Sequence, residues 1–197
     1  MATVRKGFTP YRKFGGGVYT GGREKAYVSN GYATALGVGD PIYVSNGLIR
    51  IAANTSTGED ALTNPGREYG VFVGCNYIDS NGQPQESTYF PAATSSTGRL
   101  EDQTQVIGYY APAREYSFLA IASASVSSLG HGSLYAVTVS SPNALFKRST
   151  AKINAAVASA GVDHMVRVIG FPNIAGTKPD DATTIVEVEF ALPGNPW

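Results

Sequence analysis

Twice in this chain an Asn-Gly pair stands between two strand-like runs. The first is Ile42-Tyr43-Val44-Ser45, then Asn46-Gly47, then Leu48-Ile49-Arg50-Ile51. The second spans Gly70 to Ala92. It alternates through Val71, Val73, Cys75 and Tyr77, turns at Asp79-Ser80-Asn81-Gly82, and resumes to the aromatic pair Tyr89-Phe90 before Pro91. Both residues of an Asn-Gly turn tolerate positive φ, which a two-residue turn matching the twist of two antiparallel strands requires. The middle of the chain is thereby committed to antiparallel hairpins, the first around a type I′ turn.

Further strands are expected at Gln105–Tyr110, Tyr116–Ala122, Leu134–Val139, Met165–Phe171 and Thr184–Phe190. The last alternates cleanly, with Val186, Val188 and Phe190 on one face and Glu187 and Glu189 on the other, the pattern of a half-buried antiparallel strand. Ala151 to Ala160 (AKINAAVASA) has helical composition, yet Ile153 and Val157 are β-branched, so helix and strand both stay open there. Short strands divided by Gly, Pro and Asn turns indicate an all-β fold, an antiparallel β-barrel or sandwich of short strands.

Residues 1–35 read differently. Arg5, Lys6, Arg12, Lys13, Arg23 and Lys25 stand against one acid, Glu24, and are interleaved with Phe8, Tyr11, Phe14, Tyr19 and Tyr27. Gly15-Gly16-Gly17 and Gly21-Gly22 oppose a regular element, and periodicity is weak. The expectation is an extended N-terminal arm, 1–35, that orders by lying on a partner, followed by a single all-β domain, 36–197. Arg5, Lys6, Phe8, Tyr11, Arg12, Lys13, Phe14, Tyr19 and Arg23 are its candidate partner-binding residues, because Arg and Tyr are frequent interface anchors. Tyr89 and Phe90 are candidates for an interface between copies, or for the core.

With 43% hydrophobic residues in 197, the chain is able to bury a core. Its formal charge is zero, 15 basic against 15 acidic residues, so no global field draws it to nucleic acid or a membrane. Charged residues are only 15%, which suits a surface partly covered by neighbours. No apolar run approaches the ~18 residues of a membrane span, and the N-terminus lacks the apolar stretch of a secretory signal. The protein is expected to be made and used without export.

Reactive constellations are absent from the pattern. The single cysteine, Cys75, excludes an intrachain disulfide and a cysteine zinc motif. Gly130-His131-Gly132-Ser133 lacks the G-x-S-x-G context and reads as a turn between strands; His164, the other histidine, follows Asp163 as in a solvated turn. Glu59-Asp60, Glu101-Asp102 and Asp180-Asp181 fall in polar loops rather than in an acid/base pair. Asp79-Ser80-Asn81-Gly82 lacks the later ligands of a calcium loop, and Gly15-Gly16-Gly17 lacks the Lys and Ser/Thr of a phosphate loop. No catalytic residue, cofactor or metal is expected. A small β-fold hydrolase would need His131 or His164 to meet a Ser or Asp in a pocket.

The order of these elements resembles the capsid decoration, or cement, proteins of tailed bacteriophages. The residues that carry the resemblance are Gly39-Asp40-Pro41-Ile42, Ile49-Arg50-Ile51-Ala52, Gly70-Val71-Phe72-Val73-Gly74, the Tyr77…Gly82 turn and Tyr89-Phe90-Pro91-Ala92. Arg167-Val168-Ile169-Gly170-Phe171 and the final Val-Glu-Val-Glu strand complete the order, which covers roughly residues 30–192. The resemblance implies a non-catalytic virion structural protein, made in the host bacterial cytoplasm, that binds the major capsid protein on the capsid exterior and stabilises the shell. It implies a homo-oligomer, a trimer before a dimer; no membrane partner is expected, and nucleic-acid binding through the basic, aromatic arm is an alternative that the neutral overall charge disfavours. A different virion β-module, a head fibre, tail or host-binding protein, is the alternative. The arm is outside the shared pattern.

Overall fold

The computed structural model describes residues 7–29, 32–52, 67–78, 81–92, 106–126, 130–143, 145–157, 166–174, 178–179, 181 and 184–191, with Ala156 and Val157 as backbone only. Among these described residues, all fourteen regular elements are strands: β1 (Thr9–Lys13), β2 (Glu24–Val28), β3 (Leu36–Gly37), β4 (Pro41–Ser45), β5 (Leu48–Ile51), β6 (Glu68–Ile78), β7 (Pro84–Ser87), β8 (Tyr89–Phe90), β9 (Val106–Pro112), β10 (Tyr116–Ile121), β11 (Leu134–Thr138), β12 (Lys152–Val157), β13 (Val166–Gly170) and β14 (Ile185–Phe190).

The Asn-Gly hairpin forms as expected. Asn46 and Gly47 both take positive φ, 52° and 76°, and β4 pairs with β5 from Ser45↔Leu48 to Ile42↔Ile51. This hairpin is two staves of a closed five-stranded barrel, β4-β5-β2-β9-β6, sealed by pairing of β4 with β6. Every pair in it is antiparallel except β2 with β5. A small barrel fills its interior with side chains, here Val28, Ile42, Ile49, Phe72, Cys75 and Val106, to which the short β3–β8 ladder adds Leu36 and Phe90. Gly108 leaves room for this filling: a Cβ there would overlap Ile49 Cδ1. Beyond the barrel wall, β7 continues from β6 as the outer strand of the sheet.

The second sheet has the order β1-β10-β14-β13-β11-β12. It curls until the chain just past β10 meets β12, through a bridge between Ala122 and Ile153 and a 2.8 Å bond from the Ser123 N–H to the Ile153 carbonyl. The ambiguous segment after Ala151 is therefore a strand over 152–157, its β-branched residues prevailing over its alanines. Phe190 sits at the meeting of the two sheets, with ring centroids 5.5 Å from Phe118, 5.9 Å from Phe8 and 6.3 Å from Tyr69 of the barrel. One apolar core thus spans the sheets while a second fills the barrel.

Two expectations need correction. Glu187 and Glu189 do not face solvent; they are only 8% and 6% exposed. Ser117 donates to Glu187 at 2.6 Å, Arg12 lies 4.0 Å from it, and Arg167 on the neighbouring β13 stands 3.8 Å from Glu189, so the outer face of β14 is covered by paired polar groups. Nor does the expected division of 1–35 from 36–197 hold over residues 7–29. The backbone is extended there, but β1 pairs with β10 and β2 is an inner stave between β5 and β9. Backbone ladders and the buried Ala26 and Val28 outweigh the glycine-rich composition.

Candidate partner-binding surface

The cationic and aromatic residues of the N-terminal segment are sorted by the fold into three places. Phe8, 2% exposed, is a core residue against Phe190, so it is corrected from the partner-binding set. Tyr11, Arg12, Lys13, Phe14 and Tyr19 form a hairpin on the edge of the second sheet. Arg23 lies apart on the barrel wall, its guanidinium 4.2 Å from the Tyr109 ring centroid and 3.7 Å from Glu86. Arg5 and Lys6 lie outside the described residues.

The hairpin is built from an edge strand that a proline is able to join. Pro10, lacking an N–H, sits on β1, and the register slips between Pro10 and Arg12. Gly15, Gly16 and Gly17 all take positive φ and reverse the chain, with open space where a Cβ would stand. The return strand closes on β1 through Lys13 N–H to Gly17 O and Tyr19 N–H to Tyr11 O, both 3.0 Å. Two anchors hold it to the body: Phe14 N–H bonds Glu115 O at 2.8 Å, and Tyr19 packs edge-on against Tyr116 at 5.1 Å. Between them Arg12, Lys13, Phe14 and Val18 are exposed. Arg12 donates to the Tyr11 hydroxyl at 3.1 Å with its guanidinium over the same ring, which holds the cation at a fixed place on the surface. The result is a cationic and apolar ridge with a hydrogen-bonded backbone.

The pair Tyr89-Phe90 divides. Phe90 is 1% exposed in the barrel core, so its place at an interface is corrected; Tyr89 is half-buried, with the Lys147 ammonium 5.7 Å over its ring. A further surface had no reading in the sequence. Leu145 and Phe146, between β11 and β12, are 81% and 69% exposed. The only signal for them is Pro142-Asn143, turn chemistry followed by two large apolar residues without a periodic partner.

Burial pushes the Cys75 thiol up to about 12, so it carries no thiolate at neutral pH. His131 is exposed in a turn, its Nε2 2.8 Å from the Ile169 carbonyl; His164 lies outside the described residues. The Tyr110 phenol stands 3.0 Å from Glu24 and 2.9 Å from Glu68, and Arg114 pairs with both carboxylates. Burial, then the two carboxylates, push that phenol upward, which keeps it protonated and makes the cluster a brace across β2, β6 and β9. Asp40, fully buried before β4, accepts the Gly37 N–H at 2.7 Å; burial raises it to about 6 against the Gly37 amide and the Ser149 hydroxyl. No group of three His, Cys, Asp or Glu side chains suited to a metal occurs among the described residues.

No protein-family model matches this chain, and no curated protein or solved structure matches it.

Proposed function

We propose that this chain is a non-catalytic virion structural protein that binds the outer surface of a tailed-phage capsid as an oligomer, a trimer first, and stabilises the shell. The observation that supports this reading most is the ridge of Arg12, Lys13, Phe14 and Val18 on a braced hairpin. Its backbone is tied at both ends, so little order remains to be imposed when it meets a partner. Cations beside exposed apolar groups suit an acidic protein surface carrying an apolar pocket, such as a capsid subunit would present. Repetition over a lattice makes a modest single-site affinity sufficient, because each oligomer engages several sites together.

The test is association of the purified protein with undecorated heads, read by co-sedimentation and by the temperature at which heads release their DNA. Wild-type protein should sediment with heads and raise that temperature. The triple substitution Arg12→Glu, Lys13→Glu, Phe14→Ser should weaken binding by a hundredfold or more, on the order expected for losing two or three anchors. Failure of the wild type to bind heads would sink the proposal. Binding to tails or host cells instead would assign the chain to another virion β-module.

A further inference from the structure

Leu145 and Phe146 are large apolar side chains standing side by side in solvent, and the fold holds them there. Asn143 Oδ1 accepts the N–H groups of Leu145 and Phe146 at 3.0 and 2.9 Å, Lys147 N–H returns to Asn143 O at 2.7 Å, and Asn143 N–H bonds Arg148 O at 2.8 Å. Lys147 takes a left-handed φ of 52° to close the turn. Below it, Ser149 N–H bonds Val38 O at 3.1 Å, and Gly37 lies against the Arg148 backbone so closely that a Cβ would clash. Neither exposed side chain belongs to either apolar core. A single exposed Leu is ordinary, but a Leu and a Phe exposed side by side on a hydrogen-bonded turn form a candidate contact surface.

The same chain carries a complement. At the β6–β7 hairpin an open cleft of about 330 Å³ is lined by Tyr77, Ile78, Pro84 and Ile107 together with Asn76, Gln85 and Glu86. Its volume is large enough for a phenyl ring and its walls are mostly apolar. Glu86 is 72% exposed and only loosely paired with Arg23 of its own chain at 3.7 Å, and Lys147 and Arg148 directly follow Phe146, so a second copy's cations are placed to compete with Arg23 for that carboxylate. Within one chain the turn rests on Gly37, Val38 and Tyr89 rather than on this cleft.

We infer that the Leu145–Phe146 turn of one copy seats in the β6–β7 cleft of a second copy of this chain, with Lys147 against Glu86, and that this contact joins the oligomer. The inference rests on the oligomeric part of the proposed function. It is tested on the purified protein without heads, so that its failure is distinguishable from a failure to bind capsid. Because turn and cleft are different patches, copies joined this way form a reciprocal pair, a closed ring or an open filament, according to the rotation that relates them.

The experiment is sedimentation equilibrium of the full chain, with thermal melts as the check on folding. Wild-type protein should self-associate. Phe146→Asp and Ile78→Arg, both at exposed positions, should keep the wild-type melt and each raise the dissociation constant by about tenfold or more. An equimolar mixture of the two should associate more tightly than either alone, since one retains the cleft and the other the turn. Glu86→Lys combined with Lys147→Glu should recover association that each loses singly. A wild type that remains monomeric to about 100 µM would overturn the inference, that being weaker than a specific interface supplies. So would self-association indifferent to both variants, or a Phe146→Asp protein whose only loss is binding to phosphatidylglycerol vesicles.

Discussion

The closed barrel and the second sheet solve the same problem in different ways. Each curls around an apolar interior, but the five-stranded barrel seals itself with a full β4–β6 ladder, whereas the six-stranded second sheet meets itself, between the end of β10 and β12, at a single bridge, Ala122–Ile153. The barrel keeps its core to itself. The second sheet shares its core with the barrel through Tyr69, Phe8 and Phe190. Both excursions proposed as contacts leave the second sheet: the ridge on its β1 edge and the turn between β11 and β12. A closed ladder has no unpaired edge, so new contacts are more easily built where closure is incomplete. The barrel's own addition, β7, supplies the cleft rather than a projection.

The largest expected effect comes from the shared core. Phe190→Ala removes a ring from between three others and should cost about 3–5 kcal/mol in urea denaturation. The wild type should unfold in one transition, reported alike by probes on both sheets. If the barrel instead unfolds separately in the wild type, the core does not couple the sheets as described.

Asp40 tests the seam between the regions, since Phe8 N–H bonds Gly39 O and Ser149 N–H bonds Val38 O beside it. Its carboxyl lies at about 6 against an ordinary 3.8, so the fold prefers the neutral form. That contribution is fully present below pH 3.8 and is lost as pH rises through 6. A gap of about two pH units corresponds to about 3 kcal/mol. Asp40→Asn should therefore be more stable than wild type by up to that amount at pH 8 and close to it at pH 4. A difference independent of pH would refute the account.

Gly108→Val tests the barrel alone. The added side chain overlaps Ile49 Cδ1 and should destabilise by about 1–3 kcal/mol, with the ring contacts around Phe190 unchanged by NMR. The smallest effect on folding belongs to the surface: Phe14→Ser should shift stability by less than about 0.5 kcal/mol while weakening any capsid association. A large loss of stability there would make the ridge part of the core rather than a contact.

Much of the fold was legible because strand and turn signals are local. Asn46-Gly47 announces its hairpin through positive φ, and the alternation of Val186, Val188 and Phe190 announces which face of β14 enters the core. The opposite face was misread because Glu187 and Glu189 are covered by Ser117, Arg12 and Arg167 from other strands, and cross-strand partners leave no mark in a local pattern. The candidate surface was legible in part. Arg12, Lys13 and Phe14 stand out by composition, but composition does not separate them from Phe8, four positions before Arg12, which the fold buries.

By itself, then, the sequence determined the all-β character, the Asn-Gly turn and an inventory of one cysteine and two histidines, all consequences of backbone preferences and residue counts. Only the tertiary structure decided that residues 9–13 and 24–28 are strands of two sheets, that Phe90 is interior, and that Leu145 and Phe146 are not. Burial depends on which distant segment arrives to cover a side chain, and that is settled by strand pairing across the whole chain.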